Sequence, residues 1–508
     1  MTPAEAGTRV VFLGGLGEVG RNMFAVQSQG KILIVDAGLS FPTEEMPGVD
    51  LVLPDFTWVA DRADQCCGIV LTHGHEDHVG ALTWLLQKVD APVFGTALTL
   101  GMARRRMSES GISADTVTVA APGERTIGPF ECRFLAVSHS IPDSMAVVVD
   151  SPDGRIVYTS DFKLDDAPID GRRTDLEGFA ELGEQGVDLL LADSTNAERS
   201  GRTPSEAIVG PILHSILQNA PRRVIVACFA SNLHRIQQVC YAAEATRRKV
   251  AFVGRSMVAN VEVGRELGYL SVSDRTIIDI TEIDRHAPNE TAIVCTGSQG
   301  EPLSALSLIA AGEHKFVRCE ADDTVVLSAS PIPGNESAVH RVLNALYRAG
   351  AEVFHAGSAP VHVSGHAASD ELEELISIVK PRNFTPVHGE YRQLKLHAKI
   401  AEAAGCDPRS IRIVEDGDVL ELTDGQMTRG DRVPHGTILV DGIGVGDVGP
   451  VVLRDRRVLS EDGVVICVVT IDGQSGEILA GPDLITRGFV HEGESREFLD
   501  AAADRTLA

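Results

Sequence analysis

The sequence lacks the features that carry a chain into or across a membrane. Residues 1–8 hold a single charged side chain, Glu5, and no basic stretch followed by an apolar one, so they do not resemble a signal peptide. No apolar run approaches the roughly 20 residues that a membrane-spanning helix needs. We therefore expect a cytoplasmic protein with no membrane partner.

Closely spaced cysteines are also missing. The nine cysteines are scattered, the only close pair is Cys66-Cys67, and no C-x-x-C spacing occurs. This distribution excludes the disulfide framework of a small secreted domain. We expect mostly buried, reduced thiols.

The chain is short of positive charge, with 45 Lys and Arg against 72 Asp and Glu and a net charge of -27. Binding to nucleic acid normally rests on basic side chains, so this balance by itself argues against it. The argument is weak for a chain that binds metal ions, because their charge is missing from a residue count. We interpret three basic clusters as solvated helix faces or turns: Arg104-Arg105-Arg106, Arg222-Arg223 and Arg247-Arg248-Lys249.

The most informative segment is a dense run of metal-binding side chains, His73-Gly74-His75-Glu76-Asp77-His78. It follows a strand-like stretch at 68–72 and precedes a helix-like one at 79–89, which predicts a loop at the carboxyl end of a strand. Neutral imidazole suits zinc, and a carboxylate can bridge two ions. One tetrahedral ion cannot use all these groups, so we predict two metals rather than a solvated polar turn. The first two histidines would hold one metal, and Asp77 with His78 the other.

The run matches H-x-H-x-D-H, and the chain resembles the metallo-β-lactamase superfamily. Further candidates follow apolar stretches in the order of that superfamily: Asp36, His139, Asp161 and His388. The resemblance implies two Zn²⁺ ions bridged by Asp161. The other ligands would be His73, His75 and His139 for one ion, and Asp77, His78 and His388 for the second. Asp36 would orient these ligands from behind.

A glycine-rich segment from Gly15 to Gly20 fits the G-x-G-x-x-G pattern of dinucleotide sites. Such a site needs a helix directly after the glycines. Here the alternating residues 22–28 lead through Gln29-Gly30 into another strand, which predicts a hairpin. We interpret the glycines as a tight turn near the metal site.

The 508 residues suffice for two to four domains. Residues 1–200 and 356–450 carry the ligand candidates, which predicts one α/β domain interrupted by an insertion. Residues 201–355 alternate strands with helices, as in a parallel sheet covered by helices. We predict a linker and a truncated C-terminal region for residues 451–508.

The insertion resembles the β-CASP domain of superfamily members that cleave nucleic acids. Its motifs match at Asp193, His366 and His388, and a histidine at the third position is typical of RNA-processing members. Among these, the chain is similar to the ribonuclease J family from about residue 9 to 490. The expected fold is α/β: a metallo-β-lactamase αββα sandwich with an inserted β-CASP domain and a short, reduced C-terminal segment.

This resemblance implies a zinc-dependent ribonuclease with 5′-to-3′ exonuclease and endonuclease activity in rRNA processing, RNA maturation and mRNA decay. A bridging hydroxide would attack the phosphodiester. Asp77 would orient it or accept its proton. His366 would place the phosphate or protonate the leaving oxygen, with Asp193 fixing its orientation.

The resemblance also implies a homodimer or homotetramer, although the C-terminal domain that aids dimer formation is expected to be missing or reduced. A structural Ca²⁺ site would lie at Gly48, Asp50 and Asp441.

Two loops of small residues could cradle phosphate through N–H groups and hydroxyls. One is Ser231-Asn232-Leu233, for which helix capping is the alternative. The other is His362-Val363-Ser364-Gly365-His366. In the ribonuclease J family such loops bind the 5′-terminal nucleotide, which implies RNA with a 5′ monophosphate as substrate. Ser328 and Ser330 follow a buried strand, and we assign them no role.

Two other function classes stay open on the sequence alone. A small-molecule hydrolase such as a β-lactamase or thioesterase would use the same metal site, but it needs no second domain over that site. A non-catalytic RNA-binding or scaffold subunit would be expected to lose metal ligands, whereas this chain keeps the full set.

Overall fold

The computed structural model describes residues 7–43, 45–301, 303–332, 334–442, 444–490 and 495–506. They form two compact units. The first comprises the described residues of Met1–Ser40 and Leu53–Thr437, and the second those of Phe41–Val52 and Ile438–Ala508.

The first unit contains two sheets with a shared apolar core. In spatial order, the strands of the first sheet are Gln426–Arg429, Val419–Thr423, Thr8–Gly14, Met23–Ser28, Lys31–Val35, Cys66–Val70, Val93–Gly95 and Thr116–Thr118. Those of the second are Asn383–Val387, Leu189–Asp193, Gly154–Tyr158, Met145–Ser151, Phe130–Ala136 and Gly123–Ile127. Phe12 and Val26 of the first sheet pack with Phe134 and Val147 of the second.

The second sheet reunites distant parts of the sequence. Leu189–Asp193 pairs in parallel with Asn383–Val387, with Asp193 opposite Val387. Both strands are buried throughout, as expected of parallel strands, which are covered on both faces. The pairing places the ends of both strands, with Asp193 and His388, side by side.

Helices cover the outer faces, as the predicted αββα sandwich requires. Leu176–Gln185, Ser369–Val379 and Tyr391–Ala403 pack on the second sheet. Ala97–Glu109 packs beside Val93–Gly95 at the edge of the first. Shorter helices of this layer are Thr57–Ala60, Glu76–Val79 and Leu82–Leu86.

The predicted insertion contains a third sheet, whose described strands pair in parallel. In spatial order they are Lys249–Val253, Thr291–Cys295, Val224–Ala227, Thr324–Leu327 and Glu352–His355. Apolar side chains of Val209–Asn219, Leu233–Ala245 and Arg255–Glu266 share one core. Those of Ala305–Ala311 and Glu336–Arg348 share the other. The predicted parallel sheet with covering helices is confirmed.

The predicted N-terminal hairpin is confirmed, because Met23–Ser28 pairs antiparallel with Lys31–Val35. The preceding Leu16–Gly17 is a short strand paired with Gly389–Glu390, so no helix follows the glycines. A dinucleotide site is therefore excluded at this segment. Gly14 and Gly15 line a small cavity together with Asp36 and His388.

Another sheet consists of Gly444–Val445, Thr437–Asp441 and Leu51–Pro54. The second unit also contains an antiparallel pair, Val464–Ile471 with Ile478–Arg487, and the helices Pro450–Asp462 and Arg496–Thr506. Within the described ranges, no helix is long and apolar enough to cross a membrane. All nine cysteines are free, and five are buried, as expected.

Candidate metal centre

The predicted metal ligands converge in the first unit. Their ligand atoms form two groups, and within each group all atoms lie within 4.8 Å of one another. The first group is His73, His75, His139 and Asp161; the second is Asp77, His78, Asp161 and His388. The groups coincide with the two predicted ligand sets, and Asp161 belongs to both.

The spacing within the first group fits a zinc ion. Zinc–nitrogen bonds of about 2.0–2.1 Å put neighbouring ligand atoms of a tetrahedral ion about 3.3 Å apart. The Nδ1 atom of His75 lies 3.2 Å from Nε2 of His73 and 3.1 Å from Nε2 of His139. Both Nε2 atoms lie 3.6 Å from Oδ2 of Asp161.

The second group has a similar spacing. Nε2 of His78 lies 3.3 Å from Oδ1 of Asp161, and Nε2 of His388 lies 3.4 Å from its Oδ2. Both nitrogens lie 3.7 Å from Oδ2 of Asp77. The Asp161 carboxylate therefore has an oxygen near each group, and the donor set fits two zinc ions.

Asp36 lies behind the second group, as predicted. Its Oδ2 accepts a hydrogen bond from Nδ1 of His78 at 2.8 Å. Its Oδ1 accepts one from the backbone N–H of Thr72, also at 2.8 Å. This arrangement turns Nε2 of His78 toward Asp161 and holds the start of the ligand loop.

We expect Asp36→Asn to weaken zinc binding about 10- to 100-fold, the usual effect of losing such a partner. The donors His78 and Thr72 use different oxygens of the carboxylate, and asparagine replaces one of these oxygens with an NH2 group that cannot accept. Competition with a zinc chelator measures the affinity, with Asp150→Asn as the matched control. Unchanged affinity would rule out the orienting role of Asp36.

The other nitrogens of two further ligands also have acceptors. Nδ1 of His139 donates to the carbonyl of Gly365 at 2.8 Å. Nδ1 of His73 lies 3.2 Å from the hydroxyl of Ser160. A Cβ on Gly365 would lie 2.7 Å from the His139 ring, so this close approach requires glycine. The loop 362–366 thus helps to hold a metal ligand, a role that sequence reasoning missed.

Burial lowers the pKa of His73 and His75 well below the ordinary value, and that of His139 to about 3. The three histidines of the first group are therefore neutral, the form that binds metal. Burial acts in the same direction on His78 and His388, but the combined effect of the surrounding carboxylates, with Asp161 and Asp77 near both rings, raises the pKa of both. Because zinc ligands must be deprotonated, metal binding at the second group is coupled to proton release.

His366 lies beside the two groups and pairs with Asp193. Its Nδ1 donates to Oδ2 of Asp193 at 2.7 Å, and its side chain is 19% exposed, against 1% for Asp193. Burial lowers the pKa of His366, but the hydrogen bond and charge of Asp193, together with the charges of Asp161 and Asp77, raise it to about 9. The His366 ring lies 5.0 Å from that of His139 and 5.6 Å from that of His388. The ring of His366 therefore lies beside one histidine of each ligand group.

Three residues that end strands at the site have left-handed backbone conformations: φ is 60° at Asp36, 55° at Ser160 and 52° at His388. Such conformations cost about 1–3 kcal/mol each outside glycine and tend to cluster at functional sites. They lie at the ligand His388 itself, directly before the ligand Asp161, and at Asp36, the partner of His78.

The loop 362–366 is held from both ends. Nδ2 of Asn196 donates to Oγ of Ser364 at 2.8 Å and to the carbonyl of His366 at 3.0 Å. Val363 is buried in the core of the inserted domain. Nδ1 of His362 is buried and has no hydrogen-bond partner in the described part of the chain.

In the loop Ser231-Asn232-Leu233, capping and packing account for two of the three side chains. The Asn232 side chain accepts from the backbone N–H of Arg235 and caps the helix Leu233–Ala245. Leu233 is fully buried in the core. Ser231 is half-buried, and phosphate binding by this loop stays a prediction.

The predicted calcium residues surround an arginine of the second unit. Arg456 pairs with Asp441 at 2.5 Å, and Oδ2 of Asp50 accepts from the backbone N–H of Gly442. A Cβ on Gly48 would lie 2.8 Å from Nη1 of Arg456. Calcium binding stays a prediction, and a calcium ion would have to compete with this guanidinium.

Several arginines of the three basic clusters form contacts within the protein. Arg105 pairs with Glu262 at 2.6 Å, and Arg222 pairs with Glu320. Arg223 and Arg248 are buried, so their predicted solvation is wrong. Burial is possible for Arg248 because its guanidinium donates to several backbone carbonyls.

Sequence reasoning also missed Asn22, Ser160 and Asn196. Asn22 donates to the backbone carbonyl of Asp77 and lies 3.1 Å from Nε2 of His78. Only Ser160 carried a local signal, since it directly precedes a predicted ligand.

Comparisons with known families agree with this geometry. Residues 16–200 match the metallo-beta-lactamase superfamily, and residues 221–346 match the ribonuclease J beta-CASP domain. Residues 356–413 match the Zn-dependent metallo-hydrolase RNA specificity domain. Residues 451–508 match the ribonuclease J C-terminal domain. The expectation that this last domain is missing is therefore wrong, whereas its reduction stays a prediction.

Curated relatives match nearly the whole chain. Ribonuclease J of Mycobacterium tuberculosis is 47% identical over 494 residues, which are 97% of this chain and 88% of that protein. Ribonuclease J2 of Bacillus subtilis is 43% identical over 498 residues, which are 98% of this chain and 90% of that protein.

A solved structure from Enterococcus faecalis V583, titled as a protein of unknown function, shares the fold with a TM-score of 0.57 at 15% identity. It covers 84% of this chain and 100% of its own. The chain belongs to the ribonuclease J family of metallo-β-lactamase-fold, β-CASP proteins.

Proposed function

We propose that this protein is a ribonuclease with two zinc ions, which degrades RNA from the 5′ end and also cleaves internally. Its roles would be rRNA processing, RNA maturation and mRNA decay in the cytoplasm. The observation that carries the proposal is the pair of ligand groups that share Asp161, with His366 and Asp193 beside them.

Two bound zinc ions would activate water as the nucleophile and stabilise the charge that develops on a phosphodiester. The side chain of Asp77 is partly exposed, so it can orient that water or accept its proton. The Asp193 carboxylate favours the protonated form of His366, so His366 can hold the scissile phosphate or donate a proton to the leaving oxygen.

The loop 362–366 would bind the 5′-terminal phosphate of the RNA. Nδ1 of His362 is buried without a hydrogen-bond partner among the described residues, which supports a polar ligand here. Its pKa is lowered to about 3 by burial, with the charge of Arg235 acting in the same direction. A neutral His362 can donate a hydrogen bond to a phosphate oxygen.

Matched RNAs that carry a 5′ monophosphate, a 5′ triphosphate or a 5′ hydroxyl test the proposal, each with and without a zinc chelator. We expect chelator-sensitive release of mononucleotides, fastest from the monophosphate. Absence of RNA cleavage by zinc-loaded protein would overturn the proposal, and lactam and thioester substrates would then be tested.

We further propose self-association to a homodimer or homotetramer through the second unit. The strand Val464–Ile471 is apolar, yet Ile466 and Val468 are 49% and 46% exposed, and exposed apolar patches commonly mark interfaces. We expect the double substitution Ile466→Asp and Val468→Asp to reduce the mass measured by light scattering to that of a monomer. Gln474→Asp in the same unit is the control, and an unchanged mass in the double variant would exclude this surface.

A further inference from the structure

Arg235 is a fully buried arginine in the inserted domain, with 0% of its surface exposed. A buried guanidinium is costly unless its charge and its N–H groups have partners. Here Nη2 donates to Oε1 of Glu206 at 2.5 Å, and Nε donates to Oε1 of Gln238 at 3.0 Å. Glu206 is itself only 3% exposed. The ion pair is thus buried and hydrogen-bonded on both sides.

The remaining donors of Arg235 reach the segment in front of the predicted phosphate loop. Nη1 donates to the backbone carbonyl of Val361 at 2.7 Å and also to the hydroxyl of Ser328. The Ser328 hydroxyl in turn donates to the same Val361 carbonyl at 2.6 Å. Val361 directly precedes the loop 362–366, so one carbonyl with two donors fixes where that loop begins.

On the side of Glu206, the hydrogen bonds that begin at Arg235 continue to the loops that carry metal ligands. The backbone N–H of Glu206 donates to Oδ2 of Asp165 at 2.9 Å, and Asp165 pairs with Lys163 at 3.2 Å. Lys163 lies two residues after Asp161, and its backbone N–H donates to the carbonyl of Ser138 at 2.8 Å. Ser138 directly precedes the ligand His139. The chain of partners therefore extends from the inserted domain to two ligand-bearing loops.

We propose that Arg235 is a positioning residue for RNA cleavage, which with Glu206 and Ser328 sets the phosphate loop 362–366 relative to the metal ligands. The proposal rests on the proposed function, in which this loop holds the 5′ phosphate. Only the guanidinium fork can reach Glu206, Gln238 and the Val361 carbonyl together, since lysine offers a single nitrogen. If this buried pair only stabilised the fold, its substitution would reduce cleavage of all RNA substrates alike.

The test compares kcat/KM for two RNAs that differ only in a 5′ monophosphate or a 5′ hydroxyl, in the zinc-loaded full-length protein. For Arg235→Lys we expect a loss of about 10- to 100-fold on the monophosphate RNA, the scale of a misplacement of about 1 Å. The hydroxyl RNA should change less than about threefold, so the preference for the monophosphate should largely disappear. Zinc content per chain should stay at the wild-type value.

Ser328→Ala keeps the ion pair and removes only the second donor to Val361, so it serves if Arg235→Lys does not fold. We expect the same loss of preference at a smaller size, with little change in unfolding temperature. Arg222→Lys, in another arginine–carboxylate pair of the inserted domain, is the control. An equal loss on both RNAs, or an unchanged preference in folded variants, would overturn the positioning role. A wild-type protein that fails to cleave RNA, or shows no preference, would instead contradict the proposed function.

Discussion

Replacement of His78 by alanine is expected to abolish RNA cleavage, with a loss above about 10³-fold, because removal of one stabilising donor already costs about 10²–10³. His78 is fully buried, and its Nε2 faces both Asp161 and Asp77. Its Nδ1 is the partner of Asp36, so the substitution also leaves a carboxylate buried without that partner. Zinc content should fall from about two ions to about one per chain, since the second group loses a ligand.

Kinetics on 5′-monophosphate RNA and elemental analysis of the purified variant measure the two effects together. His340→Ala is the matched control, because this exposed histidine lies on the helix Glu336–Arg348, outside the ligand groups. Circular dichroism verifies that His78→Ala is folded. Retained cleavage with unchanged zinc content would show that the metal centre is misassigned.

How much of this centre could be predicted depends on how local each signal is. The ligands from His73 to His78 are close in sequence, and their density alone predicts two metals. Each of the more distant ligands His139, Asp161 and His388 is a single polar residue after an apolar stretch, which by itself predicts only a strand end. Their assignment therefore rested on resemblance to a family.

The pairing that assembles the site could not be derived from the residues. Leu189–Asp193 lies beside Asn383–Val387, although nearly 200 residues separate them. Both are short buried strands, and nothing in their composition selects one parallel partner over another. The adjacency of Asp193 and His366 follows from this pairing and from the loop that Asn196 holds.

Side-chain partners and backbone strain could not be predicted from the sequence either. The positive φ angles of Asp36 and His388 contradict local preference and are stabilised only by the surrounding structure. Arg235 illustrates the same limit, because an arginine near a helix start predicts an exposed side chain, whereas its buried partners come from segments before and after it.

His366 is expected to act on the substrate rather than on the metal, and its replacement by alanine separates the two roles. It belongs to neither of the two primary ligand groups, although its ring nitrogen, Asp161, Asp193 and His388 form a third cluster within 4.8 Å. Nδ1 of His366 already donates to Asp193, and the partly exposed ring is accessible to a substrate.

We therefore expect His366→Ala to lower kcat about 10²–10⁴-fold, the range for loss of a general acid or base, while zinc content stays at the wild-type value. Asp193→Asn should lower kcat less, because it weakens the orientation of His366 without removing the ring. The contrast with His78→Ala is decisive, since that variant should lose zinc together with activity. If His366→Ala also loses a zinc ion, the third cluster is a metal site and His366 is a ligand. If it keeps both zinc and full activity, the ring takes no part in the reaction, and the proton must reach the leaving oxygen from Asp77 or from water.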